Sequence, residues 1–182
     1  MQLSTASSRS VQAFTFVEVS VAIVIAVIFG AAAFATNNRL LIGLKDQKEQ
    51  TAATMMLQER MEKFRSFSYS SVGDPTYVST NILGSATTSE GTLGNLNEYV
   101  TVTGYLASSG YTLSAADYNR WERDSGHPTG QLLYPTSGTP NSTLATNYDL
   151  LKVDLVVTWT GSNGRTHTRE LAAIFGKGNI GQ

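Results

Sequence analysis

Glu18 is the only charged residue between positions 14 and 35, in the run FTFVEVSVAIVIAVIFGAAAFA. A membrane core is about 30 Å thick and takes roughly 20 apolar residues as helix, so these 22 residues are long enough to cross one. An ionisable group kept in such a span marks a functional site by default, and it calls for a partner. The other residues able to do chemistry are sparse. Asp117, Glu122 and Asp124 could hold a cation, but their spacing lacks the dense oxygen ligation that calcium takes, and no metal site is assigned. Two histidines leave little material for a catalytic base. His127, before Pro128, reads as a solvated loop residue, and His167 as strand surface. Met55, Met56 and Met61 read as core packing, because methionine fills irregular gaps. Asn141-Ser142-Thr143 fits a glycosylation acceptor but reads as part of a polar loop. There is no phosphate loop, nucleophile elbow, HExxH or calcium-loop pattern. The chain has no cysteine, which excludes disulfides and thiolate catalysis. A net charge of −1 gives no reason to expect nucleic acid. The expectation is a non-enzyme without a cofactor.

The elements that must position Glu18 follow from periodicity. Residues 37–68 contain no proline and one glycine, Gly43. Leu40 and Leu44 share a helical face, as do Ala53, Leu57, Met61 and Phe64. A helix is expected to run on from the apolar segment, with Glu59 and Lys63 as an i,i+4 pair. Residues 45–51 are wholly polar, so the helix is either exposed there or loosened near Gly43. Residues 68–97 read as loop with a short strand at 77–79. Residues 98–106 alternate as a strand, with Val100, Val102 and Leu106 on one face and Tyr99, Thr101, Thr103 and Tyr105 on the other. Ser114 to Asp117 fits a capping box and predicts a short helix over 115–123; residues 124–147 read as a long loop. Residues 151–160 place Val153, Leu155, Val157 and Trp159 on one face. A turn at Asn163-Gly164, of two or three residues, returns the chain with Leu171, Ala173 and Phe175 inward. The tail GKGNIGQ reads as loose. A long helix and an antiparallel sheet must bury their apolar faces on one another, so the expected class is α+β: a long N-terminal helix, transmembrane then amphipathic, packed on a small antiparallel sheet with a C-terminal hairpin.

Three readings of the N-terminus remain open on these grounds. One is a secretory signal peptide with Arg9 as its basic part and a cut near residues 31–35, ahead of an exported binding domain or enzyme. Another is a plain single-span anchor, whose orientation charge counting leaves open. The third rests on resemblance. Ala13-Phe14-Thr15-Phe16-Val17-Glu18, followed by VSVAIVIAVIFGAAAFA, resembles the N-terminus of type IV pilins and type II secretion pseudopilins.

The resemblance implies that a prepilin peptidase cuts between Ala13 and Phe14, that Phe14 becomes an N-methylated N-terminus, and that Glu18 is the acid needed for assembly. The implied domains are a leader at 1–13, a transmembrane helix at 14–36, an amphipathic continuation at 37–68 and a β-rich periplasmic head at 69–182. The implied partners are the peptidase, other pilin or pseudopilin subunits, an inner-membrane assembly platform and membrane lipid, with no nucleic acid. The implied location is the inner membrane and then a pilus or pseudopilus. Ala13 stands where the family mostly has glycine, the leader has one basic residue, and no proline precedes Pro75. These departures favour a minor subunit. The terminal stretch KVDLVVTWTGSNGRTHTRELAAIF resembles the last hairpin of minor pilins of the PilV-like or secretion I-like kind.

Overall fold

A computed structural model describes residues 15–106, 115–134 and 141–178. Ala13 and Phe14, the expected processing residues, lie outside them. The chain divides into two units, residues 1–43 and 44–182.

The described part of the first unit is helix. It belongs to α1 (Phe16–Ser66), which contains the one stretch, among the described residues, long and apolar enough to cross a membrane. Nothing in that stretch is buried inside the chain: Phe16, Val17, Ile23, Val27, Phe29 and Phe34 are all exposed. Its hydroxyls are satisfied internally, Ser20 Oγ donating to the Phe16 carbonyl at 2.8 Å and Thr36 Oγ1 to that of Ala32 at 2.9 Å. A hydroxyl bonded back to its own helix can sit in an apolar segment without an outside partner.

The second unit is α+β. Residues 44–66 of α1 lie against one face of a five-stranded antiparallel sheet of order β3-β2-β1-β4-β5. The strands are β1 (Gly94–Tyr105), β2 (Ala115–Arg123), β3 (Gln131–Tyr134), β4 (Leu150–Thr160) and β5 (Thr166–Gly176). The helix buries Ala53, Met56, Leu57, Met61 and Phe64 at the expected spacing. Val100 and Val102 of β1, Trp121 of β2 and Leu151, Val153, Leu155, Val157 and Trp159 of β4 meet them in one core. Met56 and Met61 are packed there, while Met55 is exposed. The alternation of β4 is unbroken along its length, as expected for a strand with one buried face. On the edge strand β5, Phe175 is buried but Leu171 and Ala173 are only half covered. The β4–β5 loop has three residues, Ser162–Asn163–Gly164, flanked by a hydrogen bond from Gly161 N–H to the Arg165 carbonyl at 2.8 Å. Gly164 takes φ +74, the left-handed bulge position, and φ at Asn163 is not positive, so the turn is not a two-residue Asn-Gly turn.

Four expectations about these elements fail. Residues 115–123 are a strand, not a helix: β2 pairs with β1 from Glu98↔Arg123 to Gly104↔Asp117. Its inward residues include Asn119 and Arg123, whose polarity hides the alternation, and Asp117 bonds Tyr148 across the sheet instead of capping a helix. Residues 77–79 are helical, not a strand. Asp74 caps α3 (Pro75–Tyr77), accepting from the amides of Thr76 and Tyr77, with Pro75 preset at the first helical position. A π-helical turn (Val78–Leu83) then buries Val78, Ile82 and Leu83, after the preceding α2 (Tyr69–Gly73). The expected loop 124–147 contains β3 and the short α4 (Leu144–Asn147). Leu106, expected on the inner face of β1, falls one residue beyond the strand, which ends at Tyr105, and is exposed.

Candidate functional site

Glu18 lies in the first turn of α1, three residues after Thr15. Its Oε2 accepts from the Thr15 amide and the Thr15 hydroxyl, both at 2.9 Å, and the Glu18 amide donates to Thr15 Oγ1 at 3.3 Å. This is a reciprocal capping box, T-x-x-E, which satisfies amides that a helix start leaves without partners. The T-x-x-E signal is present in the sequence at Thr15 and Glu18, ahead of the apolar run. Thr15 follows the expected cut, so the box does not depend on the residues before it. Both bonds to the carboxylate fall on Oε2.

The polar stretch 45–51, which is neither wholly exposed nor loosened at Gly43, docks against the β4–β5 hairpin. Glu49 is buried and accepts from Ser162 through both amide and hydroxyl, the amide at 3.2 Å. Those bonds from Ser162 hold the Glu49 carboxyl below its ordinary range despite burial. Arg169 Nη2 donates to Gln50 Oε1 at 2.8 Å. His167 is not simple strand surface: its ring stacks on Trp159, centroids 5.3 Å apart, and Nε2 lies 3.2 Å from Asp46 Oδ1.

A buried ionic group ties α1 to the sheet. Arg60 Nε and Nη2 meet the two oxygens of Glu98 at 2.8 and 3.1 Å, and Nη1 donates to the carbonyls of Ile82 and Ser85. Arg123 Nη1 reaches Glu98 at 3.4 Å and pairs with Glu90. Burial disfavours the charge on Glu90, but Arg123, the Thr87 amide and Arg60 together keep the carboxyl below its usual range. Two arginines and two glutamates balance, with the remaining donors satisfied by carbonyls, which is what buried charge requires. Nothing in the spacing of Arg60 and Glu98 announced this pair. A cleft of about 310 Å³ beside it is lined by Glu90, Leu93, Asn95, Leu96 and Arg123, with Pro128 at its margin.

Asp117, Glu122 and Asp124 do not form a cluster. Asp117 accepts from the Tyr148 hydroxyl and Glu122 from that of Tyr99, both at 2.7 Å, which raises the pKa of each tyrosine. Asp124 accepts from the amides of His127 and Gly126, and the first of these lowers its pKa most. Among the described residues no group of three His, Asp or Glu side chains is placed to hold a metal. His127 is exposed and turned toward Asp124. Asn141 is bound to buried Asn119 by two hydrogen bonds of 2.9 Å, its carbonyl accepting and its amide donating.

No family model, curated protein or solved structure matches this chain. The site has to be read from its own chemistry.

Proposed function

We propose that the chain is a minor pilin or pseudopilin, a structural subunit and not a catalyst. In this reading prepilin peptidase cuts between Ala13 and Phe14, Phe14 is N-methylated, and residues 14–36 hold the chain in the inner membrane with the head on the periplasmic side. The assembly platform then draws the subunit into a type IV pilus or a type II secretion pseudopilus. The observation that carries the reading is a helix whose apolar side chains are exposed all round, with one acid in its first turn. A helix apolar on every side is stable only in lipid or among like helices. Residues 44–178 bury a core of their own, and none of the apolar stretch is buried inside the chain.

Glu18 then has two tasks. Through Oε2 it caps the helix start. Through Oε1 it meets a cation: first the amine of its own Phe14, four residues earlier in the chain, and in the filament the amine of a neighbouring subunit. A desolvated pair of that kind sets axial register, since a shifted subunit leaves a charge unpaired. Mass spectrometry of the mature chain is the test. A first residue of N-methylated Phe14 supports the reading. A start near residues 32–36 refutes it and indicates an exported domain behind an ordinary signal peptide.

A further inference from the structure

We infer that the β4–β5 hairpin tip is a pH-responsive clasp on the polar turn of α1, closed more tightly when His167 is protonated. The clasp does not depend on the filament reading. Its residues all lie in the second unit.

The clasp has three contacts. Ser162, at the hairpin tip, is held by Glu49; Arg169 is held by Gln50; between them His167 meets Asp46. Glu49 stays charged well into mild acid, because its carboxyl is held below the ordinary range by Ser162. Asp46 is the responsive half. Its Oδ2 accepts from Gln50 at 3.1 Å, but Oδ1 is buried and receives no hydrogen bond of acceptable geometry. The His167 Nε2 contact, at 3.2 Å, has the distance of a hydrogen bond without its direction. A neutral imidazole therefore leaves Oδ1 poorly compensated, since hydrogen bonds weaken steeply when bent. Charge attraction needs no such direction, so an imidazolium compensates the same oxygen where it stands.

Charged and polar groups face His167 from each element around it. From α1 it faces Asp46 and, slightly farther off, Glu49. From β4 it faces the uncharged ring of Trp159, and from the turn the side-chain oxygen Oδ1 of Asn163, 3.4 Å from Nε2. On its own strand the nearest cation on the same face is Arg169, which is turned to Gln50. Two carboxylates thus stand against one guanidinium already engaged. The ring cannot easily swing away, because Trp159 stacks on one side and Gly161 leaves no room for a Cβ beside Nε2.

The Ser162 amide, which donates to Glu49, reports the closed clasp. Its hydrogen-exchange protection is measured by NMR on the full chain in detergent micelles, corrected for intrinsic exchange, at pH 7.5 and 5.5. Protection is expected to rise about two- to five-fold on acidification, the range of a partly exposed ion pair. The rise disappears in His167→Asn and in Asp46→Asn, and persists in His127→Asn, which alters the other histidine. A flat response in the parent chain overturns the inference. So does a response that survives His167→Asn or vanishes in His127→Asn.

Discussion

Replacing Glu98 by alanine isolates the buried charge of Arg60. Glu98 is 1% exposed and Arg60 0%, so neither has water to fall back on. In Glu98→Ala the guanidinium keeps the carbonyls of Ile82 and Ser85 but loses both bonds to carboxylate and its one direct counterion. Arg123 is less affected, since it retains Glu90 and the Pro128 carbonyl, which accepts from Nε at 2.7 Å. Stripping one partner from a buried pair costs about 3–5 kcal/mol, most of it the desolvation of the charge left behind. The double variant Arg60→Met, Glu98→Leu removes both charges and fills similar volume. It should recover part of the loss, because buried pairs replaced together by apolar residues are often near neutral. Urea unfolding of the full chain in micelles, followed by the fluorescence of buried Trp121 and Trp159, measures each step of the cycle. The reasoning is refuted by a Glu98→Ala cost below about 1 kcal/mol. It is equally refuted if the double variant loses as much as the single variants Arg60→Met and Glu98→Leu summed.

Other outcomes follow from separate parts of the molecule. Glu18→Ala is expected to leave the head folded, by circular dichroism, and to abolish incorporation into the filament; normal incorporation removes the register argument. Burial, with the Asp149 charge adding to it, pushes the Tyr69 hydroxyl from 10.0 up to about 12 while it donates to the Tyr148 carbonyl at 2.9 Å. A group whose pKa rises on folding contributes stability below its unfolded pKa, and loses it as pH climbs through the folded value. Unfolding free energy should therefore fall between pH 10 and 12, with the drop smaller in Tyr69→Phe, because Tyr99 and Tyr148, also raised on folding, still contribute to it. Gly104→Ala places a Cβ less than 3.0 Å from ring atoms of Tyr148. The expected loss in urea titration is about 1–3 kcal/mol, and Tyr148→Leu in the same chain should relieve part of it.

The outline of the fold was legible where one period dominates. Residues 151–175 alternate without a polar residue on the inner face of β4, so the hairpin could be read directly. The stripe of Ala53, Leu57, Met61 and Phe64 gave the helix face in the same way. β2 could not be read so. Its inner face carries Asn119 and Arg123, which are tolerated only because Asn141, Glu90 and Glu98 come to meet them from elsewhere in the chain.

The chain alone determined that residues 14–35 are long and apolar enough to cross a membrane and that Glu18 is the one charged residue among them, since both follow from composition and length. It also determined the local capping of the helix by Thr15 and Glu18, a contact three residues long. Tertiary structure alone decided which polar residues would be buried. Arg60 and Glu98 are 38 positions apart, and Glu49 and Ser162 are 113 apart. No periodicity links such pairs. Each residue by itself reads as a solvated surface group, and only chain closure brings a counter-charge or donor close enough to offset the loss of water.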